Sequence, residues 1–377
     1  MNTPTERLPF TVRAVKDGDW ISRTINLHGV LIILLVSIMA VFFKWAREDP
    51  TSSEKISPGS PVSKRDFEEI VNGFLSDISY QTPKSLLDVG LKTRVQETLE
   101  SHGVSRDLIA QIDRCINAAV NIAYYTYPFA SREAQDAIAI FTSYVISIDD
   151  FVGDIIPELE NYVSEVTLGQ SHQHELLRGF TKHLASMQRL FGNFGGDMIV
   201  KGALEFVSVA IVEHRQDEQR KVQRLHFPRE ASDYLVYFRA KTGLAEVFAF
   251  FCFPEDLNPE DRDLTGYIAS IPFLMLFLAE ANDILSFYKE QSKAGDSGFV
   301  HDYSNVNGLT SLQTLRKLRV ETTEHVRKIR SIFSNDPVMT EQINQFIWGY
   351  VSYHVYARRY RLDELNVPPA VEAKMRL

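Results

Sequence analysis

The possible folds of this chain are limited chiefly by residues 271–290, where an apolar run leads directly into a polar stretch. The run from Ile271 to Ala279 is interrupted only by Pro272. The stretch Asn282–Glu290 after it contains no Gly or Pro. A segment of this length without a breaker in its second half favours one helix, apolar at its beginning and polar at its end.

Three oxygen-bearing side chains lie four residues apart in the polar stretch. In a helix, Asn282, Ser286 and Glu290 share one face. An amide oxygen, a hydroxyl and a carboxylate are hard ligands that suit Mg²⁺, and Mg²⁺ commonly takes further oxygens from water and from a substrate phosphate. The spacing therefore predicts a Mg²⁺–phosphate site on a helix at the edge of an apolar cavity. A solvated helix face is the alternative interpretation of the same residues.

Composition and charge narrow the class of protein. The chain has 377 residues, is 45% hydrophobic and carries a net charge of −9, so it can bury a large core. Because Arg220, Lys221, Arg224 and Arg229 form no long basic block, we interpret them as a solvated face or loop and expect no nucleic-acid partner. The sequence has only two cysteines, which argues against a disulfide framework and indicates a reducing compartment.

The sequence lacks motifs of several other chemistries. It contains no CxxC, HExxH or Gly-rich phosphate loop. His172 and His174 are two residues apart in a polar stretch, and this spacing suits chelation from a helix poorly. We interpret both histidines as surface residues.

An apolar segment near the N terminus predicts a membrane anchor. Residues 25–45 follow a polar segment, residues 1–24, and carry no charge before Lys44. Their length is close to the roughly 20 residues that cross a bilayer. A buried core helix is the alternative, and a cleaved signal peptide is disfavoured by the long polar lead. Residues 46–65, rich in Pro, Ser and Thr, predict a linker, and residues 66–377 predict one globular domain.

The sequence pattern of this domain predicts an all-α fold. Apolar residues recur at intervals of three and four, for example at Phe67, Ile70, Val71 and Phe74. No alternating strand pattern with hairpin turns stands out, so we predict about ten helices. Helix ends are expected at Tyr127–Pro128, Gly153 with Pro157, Gly192–Gly196, Phe227–Pro228, Phe253–Pro254 and Gly295–Gly298.

A second acidic site is predicted where another apolar helix ends. Residues 137–148 are mostly apolar and lead into Asp149 and Asp150, and Asp154 follows. The helix dipole, desolvation and mutual repulsion all disfavour two carboxylates there, and a bound cation would offset these effects. A helix end that faces water is the alternative. If this helix faces residues 282–290, the two sites bracket a metal cluster at the mouth of an apolar pocket.

The C-terminal part of the chain offers basic and aromatic groups. Residues 346–360 place a stripe of aromatic side chains at helical spacing. Core packing is one interpretation of this stripe, and a wall that stabilises a carbocation through ring faces is the other. Arg358, Arg359 and Tyr360 offer donors for phosphate oxygens, and Arg239 is a further candidate.

These motifs together resemble a known family. Asn282-Asp283-x-x-Ser286-x-x-x-Glu290 matches the second metal motif of class I terpene cyclases. With the downstream Arg358-Arg359-Tyr360-Arg361-Leu362, it resembles the fungal trichodiene synthase-like sesquiterpene synthases. The resemblance spans roughly residues 65–366. It implies a single class I terpenoid synthase helical domain and a terpene cyclase, a carbon–oxygen lyase that acts on a diphosphate.

The resemblance also implies roles for individual residues. The metal ligands would be Asp149, Asn282, Ser286 and Glu290. The diphosphate-binding residues would be Arg239, Lys289, Arg359 and Tyr360. The catalytic residues would be Asp150, Arg359 and Tyr360, with Asp150 and Arg359 forming a salt bridge when the active site closes. The first motif departs from the family pattern, because Gly153 occupies its fifth position and the acid comes one residue later, at Asp154.

The function implied by the resemblance is that of a sesquiterpene synthase. Such an enzyme uses Mg²⁺, three ions in this family, to ionise farnesyl diphosphate and cyclise it to a sesquiterpene hydrocarbon or alcohol. A homodimer is expected on the same ground, and the anchor suggests a membrane-tethered enzyme whose catalytic domain faces the cytosol. Two alternatives stay open: a chain-elongating prenyltransferase of the same fold, and a non-catalytic membrane-tethered helical scaffold.

Overall fold

The computed structural model of the chain describes residues 61–83, 88–222, 227–291 and 298–376. The predicted polar segment, the predicted anchor and the linker as far as residue 60 lie outside the described residues.

All regular secondary structure in the described residues is helical, which confirms the predicted all-α class. The seventeen α-helices there are α1 (Lys64–Asp77), α2 (Leu91–Ser101), α3 (Arg106–Gln111), α4 (Asp113–Thr126), α5 (Arg132–Phe151), α6 (Ile156–Leu168), α7 (Glu175–Leu184), α8 (Met187–Phe191), α9 (Asn193–Val222), α10 (Ser232–Thr242), α11 (Ala245–Phe250), α12 (Glu260–Tyr267), α13 (Ile271–Glu290), α14 (Phe299–Asn307), α15 (Ser311–Ile332), α16 (Pro337–Tyr356) and α17 (Pro368–Arg376). Short 3₁₀ helices lie at Val152–Asp154, Arg229–Ala231, Ile268–Ser270, Arg358–Tyr360 and Leu362–Glu364.

The prediction of about ten helices corresponds to the longer helices of the described residues. Eleven of the α-helices contain ten residues or more. The remaining short helices and the 3₁₀ turns are connections, which the three-and-four periodicity does not register.

Helix starts follow local chemistry. Thr310 and Gln313 form a reciprocal capping box at the start of α15. Asp336 accepts two backbone hydrogen bonds at the start of α16. Pro272 lies in the first turn of α13, where its missing N–H removes no intrahelical bond. The proline in the apolar run therefore begins the helix and does not interrupt it.

The predicted break at Gly192–Gly196 is wrong in its second half. Gly192, with φ +78°, follows α8, but Gly195 and Gly196 lie inside α9. The Glu260 carboxylate accepts the N–H of Gly195 at 2.6 Å. A Cβ on Gly196 would lie 2.5 Å from backbone atoms of Gln188. Gly196 thus permits close packing of α8 on α9, and neither Gly195 nor Gly196 ends a helix.

Helix α13 lies in the core of the domain and carries the predicted metal motif. It packs against α11, α15 and α16, and Leu274, Phe277 and Ile284 on it are fully buried. The helical run Glu260–Glu290 is also long and apolar enough to cross a membrane by length and composition, in the part of the chain described. Its packing inside the domain accounts for the same composition.

Candidate active site

One cavity of about 490 Å³ brings both predicted acidic sites together. Helices α4, α5, α9, α10, α11, α13 and α16 contribute to its walls. Its apolar and aromatic lining comprises Ile122, Val145, Ile146, Phe206, Leu244, Phe248, Leu278, Phe299, Tyr350, Tyr353 and Tyr360. Its charged lining comprises Asp149, Glu213, Asp217, Arg220, Arg239, Asp283, Glu290 and Arg359.

Six of the predicted site residues line this cavity: Asp149, Arg239, Asn282, Glu290, Arg359 and Tyr360. Three others do not themselves line it: Asp150 and Lys289, which each adjoin a lining residue in the chain, and Ser286, which lies between Asp283 and Glu290 on the same helix. Asp154 is exposed and does not line it either. The structure thus places the C-terminal end of α5 and the polar face of α13 on walls of the same cavity.

Arg239 is held in place by the end of α13. Its Nε donates to Asp283 Oδ1 at 2.9 Å, and its Nη2 lies 2.8 Å from the same oxygen. Its Nη2 also donates to Asn282 Oδ1 at 3.2 Å. Burial raises the pKa of Asp283 to about 6, although the Arg239 guanidinium acts in the opposite direction. The sequence analysis proposed Arg239 but did not identify Asp283 as its anchor.

The other side of the Asn282 amide contacts His354, which the sequence analysis also missed. Asn282 Nδ2 lies 3.1 Å from His354 Nε2. His354 Nδ1 lies 2.8 Å from the Tyr350 carbonyl oxygen, so Nδ1 carries the proton and donates. Burial lowers the pKa of His354 to about 3, and the ring is neutral. Its Nε2 lone pair therefore accepts from Asn282.

The donor set on α13 fits a hard divalent cation. Ser286 Oγ is buried and has no hydrogen-bond partner in the described part of the chain. A buried hydroxyl without a partner is costly unless an ion or a water satisfies it. Together with Asn282 and Glu290 it forms an oxygen set of the kind Mg²⁺ prefers. No group of three or more His, Cys, Asp or Glu side chains that could hold a metal ion occurs among the described residues.

The two adjacent carboxylates of α5 have different surroundings. Burial and the neighbouring Asp150 raise the pKa of Asp149 to about 6, and Arg359 opposes this shift. Asp150 lies 3.2 Å from Arg114 and accepts from the Cys115 thiol at 3.2 Å. In the conformation described, Asp150 therefore pairs with Arg114 and not with Arg359.

Tyr360 has two cations near its ring, Lys289 and Arg359, and both are predicted to bind diphosphate. Lys289 Nζ lies 5.1 Å from the centre of the Tyr360 ring, and the Arg359 guanidinium carbon lies 5.5 Å from it. Of the predicted aromatic stripe, Tyr350, Tyr353 and Tyr360 line the cavity, whereas Phe346 is core. Core packing therefore applies to Phe346, and a wall that stabilises a carbocation stays a prediction for the three tyrosines.

Helix α9 adds a charged row that the sequence analysis did not assign to the site. Glu213, Asp217 and Arg220 line the cavity. The interpretation of Arg220 as part of a solvated face is wrong, because its side chain is 19% exposed and is paired with Asp302. Burial and the nearby Asp149 raise the pKa of Glu213 to about 7. These positions share a helix face with the apolar Phe206, and this register is the signal that could have revealed them.

The interpretation of His172 as a surface residue is also wrong. Its side chain is 3% exposed, with Nδ1 at 2.7 Å from the Glu165 carboxylate and Nε2 at 2.8 Å from the Thr181 hydroxyl. None of these three residues lines the cavity. His172 lies in a polar stretch of the sequence, but its side chain is buried and forms hydrogen bonds with Glu165 and Thr181.

Comparisons with known proteins identify the family that the chain is similar to. A family model described as trichodiene synthase matches residues 102–370. The chain is 32% identical over 316 residues to an (E)-beta farnesene synthase of Metarhizium brunneum, covering 83% of this chain and 94% of that protein. It is 24% identical over 257 residues to a trichodiene synthase of Fusarium pseudograminearum, covering 68% of this chain and 66% of that protein.

The fold is also similar to a solved structure. The crystal structure of a linalool/nerolidol synthase from Streptomyces clavuligerus superposes with a TM-score of 0.55 at 13% identity, covering 73% of this chain and 98% of that one. A second structure of that protein, in complex with 2-fluorogeranyl diphosphate, superposes with a TM-score of 0.54. At this level of identity the likeness extends to the fold alone.

Proposed function

We propose, given that the chain belongs to the trichodiene synthase family of class I terpene cyclases, that its substrate is farnesyl diphosphate. The reaction would be Mg²⁺-dependent ionisation and cyclisation to a cyclic sesquiterpene hydrocarbon or alcohol with release of diphosphate. Membership of the family makes the chain a terpene cyclase, a lyase that breaks a carbon–oxygen bond.

The observation that carries the proposal is the meeting of two oxygen-rich helix ends at one cavity that also has apolar and aromatic walls. Asp149 on α5 and the Asn282, Ser286 and Glu290 face on α13 would hold the metal, and Ser286 offers a buried hydroxyl with no other partner in the described residues. When bound, Mg²⁺, three ions by family resemblance, would neutralise charge on the leaving diphosphate as a Lewis acid.

Basic residues around the same cavity would hold the diphosphate. Arg239, Arg359 and Tyr360 line it, and Lys289 lies over the Tyr360 ring. Charge-assisted hydrogen bonds from these groups are strengthened where water is excluded. Because Asp283 already orients Arg239, this guanidinium needs little reorganisation when the substrate arrives.

The apolar part of the cavity would fold the prenyl chain and protect the cation. Phe206, Phe248 and Tyr350 line it, and ring faces attract positive charge. Exchange of the Asp150 partner from Arg114 to Arg359 is the proposed closing step, which would exclude water until cyclisation is complete. Proton loss or capture of a single water would end the reaction.

The second metal motif and the relatives favour a cyclase over a chain-elongating prenyltransferase of the same fold. A chain-elongating prenyltransferase is expected to carry a second aspartate-rich motif, where this chain has Asn282, Ser286 and Glu290. The relatives named above are synthases of terpenes, and a protein of similar fold binds a fluorinated prenyl diphosphate. We also retain a homodimer as a proposal that rests on family resemblance.

Product analysis tests the substrate and the reaction. The full-length chain in mild detergent is incubated with farnesyl diphosphate, with and without Mg²⁺, and the organic extract is analysed by gas chromatography–mass spectrometry. We expect a cyclic C15 hydrocarbon or alcohol that forms only with Mg²⁺. An acyclic C15 product would support ionisation but contradict cyclisation. Product from geranyl or geranylgeranyl diphosphate alone would contradict the substrate assignment.

A further inference from the structure

We propose that His354 is a positioning residue that orients the amide of Asn282, so that the amide oxygen and not the nitrogen is presented to the metal. This inference rests on the proposed function, because it concerns the same Mg²⁺ site. Its basis is the hydrogen-bond network on the two sides of a single amide group.

The Asn282 amide is held between a donor and an acceptor. On one side its oxygen accepts from Arg239 Nη2 at 3.2 Å. On the other side its nitrogen lies 3.1 Å from His354 Nε2. Since His354 Nδ1 already donates to the Tyr350 carbonyl at 2.8 Å, Nε2 of the neutral ring can only accept.

The opposite orientation of the amide fails on both sides at once. A rotated Asn282 would place its NH₂ group against the Arg239 guanidinium, two donors face to face. It would also place its oxygen against the His354 Nε2 lone pair, two acceptors face to face. Each side loses a hydrogen bond that it cannot replace. Arg239 and His354 therefore select the same orientation independently.

His354 is itself held rigidly. It is 1% exposed, and its ring centre lies 4.6 Å from that of Tyr350 and 4.5 Å from that of Tyr360. Helix α16, which carries it, is pressed against the end of α4, where a Cβ on Gly349 would lie 2.0 Å from the Tyr125 carbonyl oxygen. A side chain without freedom to turn can fix the orientation of its neighbour.

The hydrogen bond from Asn282 to His354 matters most when the metal is bound. The Asn282 oxygen then exchanges Arg239 for the cation, and only the bond to His354 still sets the amide orientation. Loss of that bond allows the NH₂ group, which is no ligand for Mg²⁺, to turn toward the ion. His354 also lines the cavity, but its proposed effect on metal affinity is exerted through Asn282.

A matched pair of variants separates this role from general packing. In His354→Gln the side-chain oxygen reaches the position of Nε2 and can accept from Asn282. In His354→Asn the shorter side chain reaches only the position of Nδ1, so it is polar but leaves Asn282 without an acceptor. His354→Leu is a third variant, of similar volume and with no polar group.

The readout is metal binding and not turnover. The thermal unfolding midpoint of each full-length variant is measured with inorganic diphosphate over a range of Mg²⁺ concentrations, and the Mg²⁺ concentration at half-maximal stabilisation is compared. Loss of a partner that orients a metal ligand typically weakens affinity by about 10- to 100-fold. We expect a shift of this size for His354→Asn and His354→Leu, and a value close to that of the wild type for His354→Gln. Adding His354→Asn to Asn282→Ala is expected to cause no further shift.

Three results overturn parts of the account in distinguishable ways. Equal Mg²⁺ midpoints for His354→Gln and His354→Asn overturn the positioning role, even if His354→Leu does not fold. A full additional shift from His354→Asn in the Asn282→Ala background also overturns it, because His354 would then act by another route. If the wild type itself shows no Mg²⁺-dependent stabilisation with diphosphate, the proposed function fails and the inference fails with it.

Discussion

The buried carboxylates around the cavity lower the stability of the folded chain, and bound Mg²⁺ would reduce this loss of stability. Burial and Asp150 raise the pKa of Asp149, and burial and Asp149 raise the pKa of Glu213. Burial also raises the pKa of Asp283, and the Arg239 guanidinium opposes this shift. Groups of this kind concentrate at functional sites, where stability is given up for chemistry. A bound divalent cation favours the ionised forms and lowers these pKa values.

Glu213 provides a prediction on pH. Its pKa rises from an ordinary value of 4.5 to about 7 on folding. Below the lower value the group is protonated in both states and costs nothing. As pH rises from about 4.5 to about 7, the carboxyl group loses its proton in the unfolded chain before it does so in the folded chain. The free energy of unfolding therefore falls by about 1.4 kcal/mol per pH unit in this range. Glu213→Gln is therefore expected to be about 3 kcal/mol more stable than the wild type at pH 8, with almost no difference at pH 4.5.

Urea unfolding at both pH values, without metal, measures this difference. Glu97→Gln removes an exposed carboxylate on α2 and serves as the control, with little effect at either pH. A stability gain for Glu213→Gln that is the same at both pH values would contradict a raised pKa in the folded state.

Single residues were predictable where the signal is local. The spacing of Asn282, Ser286 and Glu290 within one helix is visible in the sequence; the three residues lie on α13, and Asn282 and Glu290 line the cavity whereas Ser286 does not. The contact of Asn282 with His354 joins residues that are 72 positions apart in the sequence, and no sequence pattern predicts it. The charged row of α9 was an intermediate case. Its helical spacing was visible in the sequence, but the same spacing is also expected of a helix face exposed to solvent.

Between elements, the junction of α10 and α11 sets the position of Arg239. A Cβ on Gly243 would lie 2.4 Å from Arg239 Nη1, and the other side of the guanidinium is paired with Asp283. Leu244, the next residue, has φ +50° and also lines the cavity. A non-glycine residue in the left-handed region is strained, and such strain is commonly found at functional sites.

Gly243→Ala is therefore expected to displace Arg239 from its partners. Misplacement of about 1 Å at a reacting site can cost about 100-fold in rate, so kcat/KM for diphosphate release is expected to fall by about that factor. Gly266→Ala is a suitable control, because Gly266 lies in α12 with no atom within 4 Å of an added Cβ. Equal activity of the two alanine variants would show that Arg239 can move without loss.

Helices as elements were predicted better than their boundaries. Periodicity of three and four identified the long helices because each buries one face. The glycines of α9 were misread because close packing between helices and helix termination use the same residue. Only the contact with Gln188 distinguishes the two, and that contact is tertiary.

The fold of the whole domain followed from pattern and family together, but the location of the protein rests on a segment outside the described residues. We propose that residues 25–45 anchor the chain in a membrane with the catalytic domain in the cytosol, because an apolar run of this length is long enough to span a bilayer. The full-length chain is expected to stay with membranes through alkaline carbonate extraction, and a deletion of residues 25–45 is expected to release it. Recovery of both forms in the supernatant would contradict the anchor.

The most direct test of the whole account follows diphosphate release from farnesyl diphosphate by the full-length chain as Mg²⁺ is varied. The double variant Asn282→Ala with Ser286→Ala removes two proposed ligands, and Ser270→Ala, a buried serine before α13 that does not line the cavity, is the control. We expect Mg²⁺-dependent release from the wild type and the control, and a loss of at least about 100-fold in the double variant. Undiminished release from a folded double variant would contradict the assignment of this helix face as the metal site.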